Sequence, residues 1–194
     1  MDEREINNSE SFDLIVKMIH NVRTNLRAKI NSSILLVWGY VSVFIAIVIF
    51  FIKTSPINFT YSSLLWLLVP LICYPVSVYL TRKEKTPEKT FLDRMISYIT
   101  ILFIFVCGTM PFSTLGIEIP IFFIEALLFS LWATIIGLLI KYKPVVWGGI
   151  IGIVLSHILL FISNSDFQIL AFAAILVVAI IVPGHLFKSA ISKK

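Results

Sequence analysis

The sequence predicts an all-α integral membrane bundle of six transmembrane helices preceded by a cytoplasmic amphipathic helix. Three observations predict it. Of 194 residues, 58% are hydrophobic and only 14% are charged, against roughly 25% charged in an ordinary soluble domain. Six apolar runs, at 32–52, 62–81, 95–112, 120–140, 145–163 and 168–187, approach the ~20 residues that a helix needs to cross ~30 Å of hydrocarbon. The basic residues fall almost wholly on one side of such a bundle.

The composition excludes a soluble domain. A folded chain of this size exposes much of its surface, and a mean hydropathy of +0.96 leaves too little polar surface to cover it. The net charge of +5 raises the question of nucleic acid. The charge lies in short segments between apolar runs, so the lipid bilayer is the expected partner and nucleic acid is not. The two cysteines, Cys73 and Cys107, stand inside apolar runs and read as small buried hydrophobes. A disulfide framework needs more cysteines in an oxidising loop. The first thirty or so residues are polar and mixed in charge, unlike a cleavable signal peptide. The first span is expected to act as its own insertion signal.

Orientation follows from lysine and arginine. Arg4, Lys17, Arg23, Arg27 and Lys29 precede the first run. Arg82, Lys83, Lys85, Lys89 and Arg94 lie around the second connection. Lys141 and Lys143 lie between the fourth and fifth runs, and Lys188, Lys193 and Lys194 follow the sixth. Of the 16 basic residues only Lys53 falls on the other side. The positive-inside rule then places both termini in the cytoplasm. An odd number of spans would split these clusters across the two faces. The expected organisation is a cytoplasmic helix segment at 1–31, a six-helix domain at 32–187 and a short basic tail at 188–194.

Residues 7–30 differ from the rest. Phe12, Ile15, Val16, Ile19, Val22, Leu26 and Ile30 recur at helical spacing. Asn7 with Glu10 resembles a capping box. Acidic residues stand near the start and Arg23, Arg27 and Lys29 near the end, as the helix dipole prefers. Such a helix either lies on the inner leaflet, its basic end attracted to anionic lipid, or docks on a protein partner or a second copy of the chain.

Within the runs, Gly148, Gly152 and Ser156 form a stripe of small residues at four-residue spacing. Small residues let helix backbones approach closely, either inside one chain or across a homodimer seam. Val37-Trp38-Gly39 in the first run and Val146-Trp147-Gly148 in the fifth share a local pattern; a tryptophan shortly after the cytoplasmic entry suits an interfacial belt, with Trp38 somewhat deep for it. Pro70 and Pro75 in the second run and Pro183 in the sixth are expected kinks, because proline removes a backbone donor.

Ionisable residues inside spans point to function. Glu125 and His157 lie five and six residues from the outer ends of the fourth and fifth runs. Both therefore sit roughly 8–9 Å deep. They form a candidate intramembrane polar pair, structural or proton-relaying. Cys107 and Met110 share that level without any metal-ligand spacing. His157 and His185 differ in depth by ~15 Å, too far for one haem iron. No catalytic, cofactor-binding or metal-ligating residues are expected. The phosphate-loop, dinucleotide, zinc-protease and nucleophile-elbow patterns do not occur.

Glu10-Ser11-Phe12-Asp13-Leu14-Ile15-Val16-Lys17-Met18-Ile19, Val37-Trp38-Gly39-Tyr40 and Val182-Pro183-Gly184-His185 give the chain a likeness in layout. It resembles small, uncharacterised bacterial multi-pass membrane proteins with an amphipathic N-terminal segment. The resemblance implies a bacterial inner-membrane location and carries over no activity and no catalytic residue. The expected function is non-enzymatic: an accessory, regulatory or protective membrane protein acting through protein partners, by way of residues 7–30 or the fifth span. The alternative is a small oligomeric transporter or channel using kinked helices and the Glu125–His157 pair.

Overall fold

Six helical rods follow one another along the computed structural model, which describes residues 12–14, 16–17, 32–55, 62–83, 91–113 and 120–192. The first rod is α1 (Ser32–Thr54). The second opens as a 3-10 helix (Ser62–Leu67) and passes into α2 (Leu68–Lys83). The third is α3 (Phe91–Ser113) and the fourth α4 (Ile121–Leu139). The fifth, α5 (Lys143–Ser156), tightens into a 3-10 segment (His157–Phe161). The last consists of α6 (Ser165–Leu176), a π-helical segment (Val177–Ile181) and α7 (Val182–Ser192). No strand occurs among the described residues.

Among the described residues, four stretches have the length and hydropathy to cross a membrane: Ser33–Thr54, Ile121–Leu139, Lys143–Phe161 and Ser165–Ala190. Leu64–Leu80 and Arg94–Met110 are apolar but shorter. Large hydrophobic side chains face outward all along the rods. Phe44, Phe105 and Phe161 are 66%, 68% and 85% exposed, a surface consistent with a membrane protein. Of the amphipathic helix expected over 7–30, Phe12, Asp13, Leu14, Val16 and Lys17 are helical and exposed. The remainder lies outside the described residues.

Helix boundaries follow from local chemistry. The last rod starts at Ser165, three residues before the apolar run suggests. Asn164 is the reason: its side chain accepts hydrogen bonds from the backbone N–H of Asp166 (2.8 Å) and Phe167 (3.4 Å), and Asp166 in the first turn suits the dipole. Gln168 then donates through Nε2 to the carbonyls of Ile162 (2.5 Å) and Leu159 (3.3 Å), tying the start of the last rod to the end of the fifth. Pro144 stands in the first turn of α5, where its missing N–H costs nothing. Pro75 lies within α2, and Pro70 follows the change from 3-10 to α geometry. Pro183 stands two residues after the end of the π segment. It cannot donate to the carbonyl of Ala179, and the helix widens just before it, with Val182 N–H bonded to Val177 O.

The closest pairing is α4 with α5. Small residues meet there: Ala126, Ser130, Ala133 and Gly137 on α4, and Gly149 and Gly152 on α5, with Val145 beside them, all buried. A Cβ on Gly149 would lie 2.7 Å from both Ser130 O and Thr134 N. A Cβ on Gly137 would lie 2.7 Å from Val146 N. α1 packs on α2 and on the last rod, and α3 packs on α4 and the 3-10 segment of the second rod.

Glycine substitution separates these contacts from helix propensity. Gly149→Ala is expected to lower stability by about 1–3 kcal/mol, since its Cβ meets rigid backbone. Gly108 on α3 has nothing within 4 Å of an added Cβ, so Gly108→Ala is expected to be neutral or stabilising by up to about 1 kcal/mol. Thermal unfolding in detergent, followed by circular dichroism, checks both.

Candidate functional site

The interior is a continuous aromatic web. Trp38 of α1 meets Phe103 of α3 edge-on at 5.8 Å and Trp132 of α4 at 6.1 Å. Phe103 stacks on Trp132 at 5.2 Å and meets Phe129 at 4.9 Å. Phe129 touches Phe172 of α6 at 6.4 Å, and Phe172 meets Trp66 of the second rod at 5.2 Å. Such contacts prefer edge-on or offset geometry because the ring face is negative and the edge positive. The indole N–H groups find partners: Trp38 donates to Ser77 Oγ (3.1 Å) and Trp132 to Thr100 Oγ1 (3.4 Å).

Glu125 is placed inside this web. It is 3% exposed and lines a small cavity of about 10 Å³ together with Trp38, Trp66, Pro70, Cys107 and Phe129. A void of that size is about one water molecule. Among the described residues no side chain forms a hydrogen bond or ion pair with its carboxyl. A bare carboxylate buried in this way would cost several kcal/mol, and the void is where a water molecule can meet that demand.

His157 has different surroundings. It is exposed, its Nδ1 lies 2.9 Å from Ile153 O, and its ring edge packs on Phe123 at 5.3 Å. No hydrogen bond or ion pair joins it to Glu125, so the structure does not bring the expected pair together. The reason is angular. Phe123 and Glu125 are two residues apart and point about 200° apart around α4. His157 meets the outer of these two faces, and Glu125 occupies the inner one.

The small-residue stripe is placed inside the chain. Gly148 faces the last rod, where a Cβ would meet Pro183 Cγ at 2.7 Å and Ala179 O at 3.0 Å. Gly152 packs between Ser130 and Ala179. Ser156 is buried and donates to Ile153 O at 2.7 Å. Ser42 Oγ and Ser130 Oγ are buried without a hydrogen-bond partner. The matching set on α4, above all Ser130 and Gly137, escaped the sequence reading. Its signal was present: 126, 130, 133 and 137 are all small and at helical spacing.

Cys73 and Cys107 are free and buried, and the Cys73 thiol points at Val37 O at 4.0 Å. Trp38 is not an interfacial residue. It is 1% exposed and belongs to the core, while Trp147 is 61% exposed. Among the described residues no group of three or more His, Cys, Asp or Glu gathers around one point. No protein-family model, curated protein or solved structure matches the chain.

Two outcomes test the site. Effects of Glu125→Gln and His157→Ala on unfolding free energy should add to within about 0.5 kcal/mol; a coupling above about 1 kcal/mol would show that the two side chains meet. Glu125→Leu should leave the protein as stable or more stable by about 1–3 kcal/mol, as expected when a buried polar group with no side-chain partner among the described residues is replaced by an apolar one. A loss of stability of that size would mean that the carboxyl is held by strong hydrogen bonds.

Proposed function

We propose that the chain is a non-enzymatic six-span protein of a bacterial inner membrane that acts by binding protein partners, with both termini in the cytoplasm. The observation that carries this reading is the filled interior. The bundle axis is packed with aromatic rings, and the cavity beside Glu125 has room for about one water. A translocation path needs a succession of hydrophilic groups or a wetted lumen. Function then resides on the outer and terminal surfaces. Phe12 and Val16, one helical turn apart and both exposed, supply an apolar ridge of the kind that docks into a partner's groove. Counting α2 and α3 as spans rests on their apolar length with the flanking residues, and on the sidedness of the basic residues.

A second reading, a small oligomeric transporter or channel, draws on Glu125 alone. A buried carboxyl beside a proline-bearing helix is a recurrent feature of ion pathways. The packed web around it favours the first reading.

Purification of the tagged full chain in mild detergent distinguishes them. The expected result is a stoichiometric partner that is lost in Phe12→Asp with Val16→Asp while the bundle unfolds at an unchanged temperature. Recovery of the chain with no partner, or ion flux in reconstituted vesicles that Glu125→Gln abolishes, would overturn the proposal in favour of transport.

A further inference from the structure

A groove runs along the outside of the bundle between the first and second rods. Tyr40, Phe44 and Val48, four residues apart on α1, form one wall, and Leu65, Leu68 and Ile72 form the other. Its volume is about 350 Å³, within the range of small-ligand clefts. Along most of its length it offers only aliphatic and aromatic carbon. That suits no water-soluble ligand, and it suits a hydrocarbon chain.

One end of the groove is polar. The Tyr40 hydroxyl lies 2.6 Å from His185 Nε2, and the two rings meet edge-on at 5.9 Å. Lys188 follows three residues later on α7 and is exposed, as His185 is. Residues three apart on a helix share a face. The groove therefore begins at a tyrosine–histidine pair beside a cation and continues as bare hydrocarbon. From Tyr40 to Val48 the helix axis rises ~12 Å, close to half of the ~30 Å hydrocarbon thickness. The groove thus has the reach of one leaflet. A second transmembrane helix is a poor fit. A helix is ~10 Å across, and a 12 Å length of it fills roughly twice the groove volume or more.

We propose that this groove is a lipid-binding site. It holds one acyl chain of an anionic phospholipid from the leaflet on the Lys188 side, and His185 and Lys188 receive the phosphate. Tyr40 positions the imidazole by hydrogen bond and forms the floor where headgroup gives way to chain. The site belongs to the bundle itself and does not depend on the partner proposed above.

Intact-mass measurement of the full chain released from mild detergent, titrated with phosphatidylglycerol or phosphatidylcholine, tests this. The expected result is one retained phosphatidylglycerol per chain, held about tenfold more tightly than phosphatidylcholine. Leu68→Trp, which fills the groove, should lose both lipids. His185→Ala with Lys188→Gln should bring phosphatidylglycerol down to the phosphatidylcholine level, with an unchanged unfolding temperature in lipid-free detergent. Equal retention of the two lipids by the wild type, or retention indifferent to the His185 and Lys188 substitutions, would overturn the proposal. So would a dimer mass that Leu68→Trp abolishes, because a second copy would then occupy the groove. If Leu68→Trp does not fold, the His185 and Lys188 variant decides alone.

Discussion

The burial of Trp38 is the constraint on which the rest of the bundle depends. Helices in lipid gain nothing from hiding apolar surface from each other, since the lipid tails are equally apolar. Packing and hydrogen bonding must hold them. Trp38 supplies both to three other rods at once: ring contacts to Phe103 on α3 and Trp132 on α4, and an N–H bond to Ser77 on α2. Each aromatic contact is worth about 0.5–1.5 kcal/mol, and the N–H would cost about 1–3 kcal/mol if left bare. The web that Trp38 begins also encloses Glu125, so the one buried carboxyl among the described residues depends on the same side chain.

The neighbouring residue fixes α1 from another side. A Cβ on Gly39 would lie 2.8 Å from Ile181 Cγ1, so the backbone of α1 presses on the π segment of the last rod. Gly148 of α5 presses on the same stretch through Ala179 and Pro183. The two Val-Trp-Gly sequences thus use their glycines alike, at the place where Pro183 has removed a backbone donor and widened the helix. Close backbone approach compensates where the regular hydrogen-bond ladder is interrupted. Their tryptophans do opposite things. Trp38 turns inward to the web and Trp147 outward, because each of the two helices has one buried and one exposed face and the tryptophans stand on opposite ones.

How much of this was legible in the sequence depends on which coordinate is asked for. Depth was legible in part, because apolar length measures it directly, and four long apolar helices stand where four of the runs do. The buried thiols of Cys73 and Cys107 and the close approach at Gly148 and Gly152 follow from residue size alone. Azimuth was not legible. Glu125 and His157 could be given a common level from their distance to the helix ends, but nothing in the spacing said which way each faced. The 3-10 geometry that begins at His157 turns ~120° per residue in place of ~100°, so even a helical wheel drawn through α5 would lose its phase there. Trp38 shows the same limit. Its distance from the helix start places it somewhat deep for an interfacial belt, and only the arrangement of neighbouring rods shows that the ring points into the core.

The turn between α4 and α5 shows local preference and membrane electrostatics in conflict. Lys141 adopts φ 50°, a left-handed conformation that costs a non-glycine residue about 1–2 kcal/mol. The turn requires it: Lys141 N–H bonds to Leu138 O at 3.1 Å and Tyr142 N–H to Gly137 O at 3.0 Å, closing α4 as tightly as the small-residue interface below demands. Glycine would satisfy that backbone without strain. A lysine near an anionic membrane surface gains about 1 kcal/mol, which is of the same size as the strain. Tyr142 meets Phe187 at 4.9 Å, so Lys141 and Lys143 share one end of the bundle with Lys188. The charge at this turn is therefore held against the backbone's own preference, at the end where the proposed orientation places the cytoplasmic leaflet and where the groove beside Tyr40 opens.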